Sequence, residues 1–222
     1  MTRVVSFSGI DGAGKSSQAQ WLAEELRNQG TDAVVYWLPL GHHRMQRLAR
    51  TLKGRLRERR AHAASARQQT AKAGGDKAGP LPRVWTTAVA IAYGLSYRTF
   101  VIRHGRRGRV VIFDRYVLDA CAQMRYFYGR ERNLGFEKRV LTLLAPRAQS
   151  YFLDVPAEVA LARKREQFDL EQLELQVSLF REEAERLRTK RLPGDAPPDA
   201  LRERILADVT GRAVAGADQS TA

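Results

Sequence analysis

The run Gly9-Ile10-Asp11-Gly12-Ala13-Gly14-Lys15-Ser16 constrains this chain more than any other stretch. It fits G-x-x-x-x-G-K-[ST], and its surroundings are those the pattern needs. Val4-Val5-Ser6-Phe7 before it reads as a strand, and Ala19, Leu22, Ala23 and Leu26 after it recur at helical spacing. Glycines let successive backbone N–H groups turn toward one anion, and the following helix adds its positive N-terminal end. Gly9, Asp11, Gly12, Ala13, Gly14, Lys15, Ser16 and Ser17 are thus candidate nucleotide-binding residues. In such a loop Lys15 reaches the β- and γ-phosphates of ATP, and the Ser16 hydroxyl is a ligand for Mg2+. A glycine-rich turn with an incidental lysine is the bland alternative, and the strand–loop–helix context weighs against it.

A chain of 222 residues, 44% of them apolar, suits one α/β domain with a real core. Strand and helix patterns alternate, which predicts a parallel sheet covered on both faces. Strands are expected at residues 3–8, 33–38, 109–113 and 149–153, with Gly30 stopping the first helix. Helices are expected at 44–60, at 84–103 (mostly buried), as a pair within 118–144, from Pro156 onward, at 169–191 and at 199–209. The kinase-sized domain would cover 1–211, leaving 212–222 as a tail.

The formal net charge is +14, and its placement matters more than its size. Residues 41–83 hold twelve Lys/Arg against Glu58 and Asp76, so they carry +10 of the total. Within them, 61–82 is poor in large apolar residues and reads as a flexible basic insert. A solvated surface is the plain reading of the 44–83 stretch; contact with an anionic surface or nucleic acid is the alternative. No aromatics interleave the charges, so base stacking is unsupported. Adjacent His42 and His43 lack the partners of a metal site. The only cysteine, Cys121, cannot form an internal disulfide, and Met1-Thr2-Arg3 runs straight into a strand. Both fit a cytoplasmic protein. Thr86, Thr87, Ser96 and Arg98 make the 84–102 segment too polar for an average membrane span.

Two further clusters carry chemistry. Val110-Val111-Ile112-Phe113-Asp114 describes a central strand delivering a carboxylate to its carboxyl edge, where ligands of open α/β sheets bind. Asp114 is therefore expected near Mg2+, and Arg115 offers a planar fork for phosphate oxygens. The alternative is a strand-end salt bridge. Arg163-Lys164-Arg165 follows a short helix and precedes a long one. A basic segment so placed can close over the transferring group at 163–170, or simply complement a helix dipole. The phosphate loop contains no arginine, so a compensating cation must come from elsewhere, and Arg163 and Arg165 are the best-placed candidates.

The loop with Ser17-Gln18, then Asp114-Arg115-Tyr116, then Leu153-Asp154-Val155-Pro156 through Arg163-Lys164-Arg165, resembles the thymidylate kinase family of nucleoside monophosphate kinases. The resemblance implies a three-layer α/β P-loop kinase fold with a helical lid, and Mg-ATP as phosphoryl donor. It implies that Lys15 holds donor phosphates, Ser16 and Asp114 serve Mg2+, and Asp11 meets the acceptor's sugar hydroxyl. Arg115 would bridge the two phosphate groups, Tyr116 would lie beside the acceptor sugar, and Arg163 and Arg165 would stabilise the moving group. A homodimer is also implied, since family members often dimerise near the Asp-Arg-Tyr helix.

Three departures fall on the acceptor side. Trp37-Leu38-Pro39-Leu40-Gly41-His42-His43-Arg44 replaces the family's Arg-Glu-Pro-Gly-Gly run. Ala92-Tyr93-Gly94-Leu95-Ser96-Tyr97-Arg98 replaces its Phe-x-x-x-Arg pair, and Val117-Leu118-Asp119 stands where it has serines. Tyr93, Tyr97 and Arg98 are accordingly the acceptor candidates beside Asp11, Arg115 and Tyr116. The small-molecule phosphate acceptor is either a nucleoside monophosphate like dTMP or a non-nucleotide such as a sugar or lipid-linked sugar. A nucleotide-binding regulatory protein is the third reading.

Overall fold

The computed structural model describes residues 3–37, 80–105, 108–128, 134–163 and 170–211. The chain clusters into two compact units, Met1–Leu38 with Trp85–Ala222, and Pro39–Val84. Only the last five residues of the second unit are among those described. The helix expected at 44–60, residues 61–79 of the expected insert, His42 and His43, residues 164–169 of the lid and the tail all lie outside the described residues.

The first unit is a three-layer α/β fold. Its elements run β1 (Arg3–Ser8), α1 (Lys15–Asn28), β2 (Ala33–Trp37), α2 (Pro80–His104), β3 (Val110–Asp114) and α3 (Val117–Tyr128). There follow α4 (Gly135–Leu144), β4 (Gln149–Asp154), α5 (Ala157–Arg163), α6 (Leu170–Arg186), β5 (Lys190–Pro193) and α7 (Pro198–Thr210). Helix α2 starts in the second unit and continues into the first. The five strands are parallel in the order β2-β3-β1-β4-β5. As in parallel sheets generally, the central strands read as unbroken apolar runs because both faces are covered. All five residues of β3 are buried, Asp114 included.

The register assigns the faces. Val5 lies beside Ile112 and Phe7 beside Tyr151. On that side Phe7 stacks on Tyr151, whose hydroxyl reaches Asp208 of α7. On the other side Phe113 meets Tyr97 of α2 edge-on, and Phe152 stacks on Phe180 of α6. Connections leaving the neighbours β1 and β3 therefore pass to opposite faces, α1 to one and α3 to the other. That reversal opens a crevice at the carboxyl ends of β1 and β3.

Two expectations are corrected. The helix expected at 169–191 ends at Arg186, and Lys190–Pro193 is a fifth strand paired with β4. Arg188 adopts φ 50 at the break. Arg188 N–H bonds Glu185 O and Thr189 N–H bonds Ala184 O, the closing pattern of a helix with a left-handed residue after it. Glycine normally holds that position; arginine hides it. The helix expected to be mostly buried is buried along one face only, through Thr86, Ala90, Tyr93 and Tyr97, while Ile91, Leu95 and Ile102 are exposed. Among the described residues, no helix is long and apolar enough to cross a membrane.

Away from the crevice, α3, α4 and α6 are joined through the fully buried Glu183. Its Oε1 accepts from Arg125 at 2.9 Å, Lys138 at 2.5 Å and Arg186 at 3.1 Å. Three cations around one carboxylate offset much of its desolvation.

Candidate functional site

The glycine loop fills the gap between β1 and α1. Gly9 has φ 149 and Gly12 φ 91, where a side chain is strained. Space forbids one as well: a Cβ on Gly9 would stand 2.7 Å from Leu153 O, and one on Gly12 would stand 2.9 Å from Ala160 O. The loop is thus pressed onto the end of β4 and onto α5. Ser16 and Ser17 open α1 with exposed side chains.

Lys15 turns back into this loop. Its Nζ donates to Gly9 O at 2.9 Å and Ile10 O at 2.7 Å, 3.7 Å from the Asp11 carboxylate. The side chain is only 5% exposed. Burial, with Arg115 adding to it, pulls its pKa down to about 8, against the fields of Asp119, Asp11 and Asp114. The lysine is thus a desolvated cation, and an anion brought beside it would restore its usual basicity.

β1 and β3 place the second cluster opposite. Phe7 pairs with Asp114, and Arg115 N–H continues the ladder to Phe7 O at 3.0 Å. Asp114 Oδ2 accepts from the Ser16 hydroxyl at 2.5 Å, and its buried Oδ1 has no hydrogen-bond partner. Arg115 adopts φ 80, an uncommon conformation for a non-glycine residue, and its guanidinium bonds Asp11. Burial alone would depress that guanidinium, but Asp119 and Asp11 outweigh it and its pKa is raised. Arg163 Nη1, at the end of α5, donates to Gly12 O at 3.2 Å and Gly194 O at 3.3 Å. It joins the phosphate loop to the β5–α7 turn.

The acceptor candidates divide. Asp11 and Arg115 meet at the crevice. Tyr116 is buried against Phe113 and Tyr97, and its hydroxyl bonds Pro146 O at 2.5 Å. Tyr93 and Tyr97 face the interior, and the Tyr97 hydroxyl is buried without a partner. Arg98 points to the exposed side of α2. Of the three α2 residues, two are thus buried on the sheet side and one is exposed. Arg165 lies outside the described residues.

Sequence reasoning passed over Asp119 as a site residue. It is fully buried at the third position of α3, beneath the loop. Its Oδ2 accepts Tyr116 N–H at 3.0 Å and its Oδ1 accepts Gly9 N–H at 3.4 Å. Burial raises its pKa, partly offset by Lys15 and Arg115. An acid three residues after a helix cap is a recognised signal, since it can bond back to the cap's N–H.

Among the described residues no group of three His, Cys, Asp or Glu side chains could hold a metal by itself. One carboxylate with a free buried oxygen beside one hydroxyl nevertheless fits Mg2+, which keeps several waters and takes substrate phosphates as ligands.

No protein-family model matches the chain. A thymidylate kinase of Dinoroseobacter shibae is 54% identical over 39 residues, 18% of this chain and 19% of that protein. A thymidylate kinase of Herpetosiphon aurantiacus is 29% identical over 174 residues, 76% of this chain and 64% of that protein. The chain thus spans less than two thirds of the length of either relative. Fold and loop together define a P-loop kinase-like architecture. The distant, partial similarity supports a relationship with the P-loop nucleoside monophosphate kinase superfamily.

Proposed function

We propose that the chain transfers the γ-phosphoryl group of Mg-ATP to a nucleoside monophosphate, with a dTMP-like acceptor as the leading reading. One observation carries it: Lys15, the Ser16–Asp114 pair and the Arg115–Asp11 pair meet at the crevice where β1 and β3 send their connections to opposite faces. The loop N–H groups and Lys15 hold the donor phosphates. Ser16 and the unbonded oxygen of Asp114 would hold Mg2+, which would supply charge neutralisation for the phosphates. Arg115 would turn from Asp11 to the phosphate groups, and Asp11 would accept from an acceptor hydroxyl. Arg163 covers the loop from the α5 side. Catalysis is then positioning and charge neutralisation, without a covalent intermediate. The two relatives bear the name thymidylate kinase, which supports the nucleotide acceptor.

The placement of the α2 residues favours a second reading. With Tyr97 interior and Arg98 exposed, the same donor site would serve a non-nucleotide acceptor such as a sugar or lipid-linked sugar. ADP release measured with a panel of nucleoside monophosphates and with sugar acceptors separates the two. Rapid turnover of dTMP upholds the first. Turnover confined to sugars upholds the second, and tight ATP binding with no transfer to any acceptor refutes both.

A further inference from the structure

Asp119 joins two parts of the crevice that the sequence keeps 107 residues apart, Gly9 and Tyr116. We propose that it is a positioning residue: its two oxygens hold the start of the phosphate loop against the turn after β3, so that Lys15 and Arg115 face one polyphosphate.

The Tyr116 bond by itself is local. It spans three residues, lies at the start of α3, and would serve as a helix cap whatever the protein did. The Gly9 bond is different. Gly9 opens the loop in a conformation only glycine takes readily, and its N–H has turned inward to a carboxylate on another element. A fully buried carboxylate is costly unless its acceptors are filled and cations stand near. Here Oδ2 takes the Tyr116 N–H at 3.0 Å, Oδ1 takes the longer Gly9 bond at 3.4 Å with the Ser8 hydroxyl also beside the group, and Lys15 and Arg115 flank it. The same arrangement fixes where those cations stand. Arg115 holds φ 80 directly before Tyr116, so the turn that aims its guanidinium is anchored by the Oδ2 bond. Lys15 bonds the carbonyls of Gly9 and Ile10, so the loop segment that fixes its amine is anchored by the Oδ1 bond. Releasing either anchor lets one cation drift relative to the other. Misplacement by about 1 Å in such a site costs roughly a hundredfold in rate.

This inference rests on the phosphate-handling reading of the site, and two variants separate its failure from that one. Asp119→Asn keeps the shape but offers one acceptor oxygen. Asp119→Glu keeps the charge and can still cap α3, while its longer arm displaces the Gly9 bond. Mg-ATP affinity, read by titration calorimetry below each variant's melting transition, is expected to fall at least tenfold in both. Turnover with whichever acceptor the wild type uses is expected to fall about a hundredfold. A helix cap alone would lower melting temperature and leave the glutamate variant's affinity and turnover unchanged. Amide exchange of the wild-type protein needs no variant to fold: Gly9 and Tyr116 should both be protected without ligand, and gain protection together with Mg-ATP. Variants binding Mg-ATP within threefold of wild type, or a freely exchanging Gly9 amide, overturn the role of Asp119 alone. Wild-type protein that binds no Mg-ATP overturns the site reading with it.

Discussion

Replacing Lys15 with methionine should remove nucleotide binding and yet stabilise the empty protein at neutral pH. The ammonium is 5% exposed, and burial brings its pKa from the ordinary 10.5 to about 8. At about 1.4 kcal/mol per tenfold change in proton affinity, holding it charged costs the folded state about 3 kcal/mol. Methionine has comparable length and no charge, so the Lys15→Met change removes that cost. It also forfeits the hydrogen bonds to Gly9 O and Ile10 O, about 1 kcal/mol each. The variant should therefore gain about 1 kcal/mol below pH 8, roughly 2–4 °C in melting temperature for a chain of this size.

The sign with pH follows from linkage. Between about 8 and 10.5 the unfolded chain binds a proton at Lys15 that the folded one does not, so wild-type stability rises with pH across that window. The advantage of Lys15→Met should vanish within about one pH unit above 8 and become a deficit of about 2 kcal/mol by pH 10.5, where only the lost hydrogen bonds remain. Comparing wild type and variant by calorimetry from pH 7 to 10.5 cancels groups common to both. Saturating Mg-ATP inverts the ranking: ligand at a hundred times its dissociation constant adds about 2.7 kcal/mol to wild type and nothing to the variant. A variant destabilised equally at pH 7 and pH 10.5 would refute the reasoning, since the lysine would then not be held at a desolvation cost.

Three further outcomes follow from the geometry. Gly12→Ala places a Cβ 2.9 Å from Ala160 O at φ 91, so the loop must shift; nucleotide affinity, measured by fluorescent-analogue displacement, should drop at least tenfold. Asp114→Asn removes the charge beside Ser16, and the Mg2+ concentration for half-maximal turnover should rise about tenfold, while affinity for metal-free ATP rises because the like charge is gone. Glu183→Ala leaves Arg125 and Lys138 facing a buried gap, costing roughly 3–5 kcal/mol in chemical denaturation, with nucleotide affinity unchanged at low temperature.

The loop side of the crevice was legible because its signals are local. A glycine pattern between strand and helix fixes the loop, and an acid ending an apolar run fixes Asp114 at the sheet edge. The stop of α1 was legible for the same reason. Gly30, at φ 78, lets Gly30 N–H reach Arg27 O and Thr31 N–H reach Leu26 O. The identical closure after α6 was missed because Arg188 holds the left-handed position, and β5 was lost with it. In the sequence Asp119 stands out only as a departure from a serine pattern. Its local cap could be read from spacing, but its contact with Gly9 depends on β1 and β3 being neighbours, which periodicity does not encode. The α2 candidates divide between core and surface for a related reason. Helical spacing put Tyr93 and Tyr97 on one face and Arg98 off it, and the sheet took the aromatic face as core.

The charge arrangement explains why the proposed reaction would need a cation besides those of the loop. Among the described residues, two cations, Lys15 and Arg115, stand among three carboxylates, Asp11, Asp114 and Asp119. Asp119 is occupied by backbone N–H groups and Asp11 by Arg115, so neither repels an incoming phosphate with its full charge. Asp114 has a buried oxygen with nothing bonded to it, on the side of Ser16. A polyphosphate entering alone would meet that oxygen as a like charge. Entering with a divalent cation, it meets a ligand. Under the proposed reaction the same carboxylate would disfavour one form of the nucleotide and favour the other, because β3 ends at Asp114, level with Phe7 on β1.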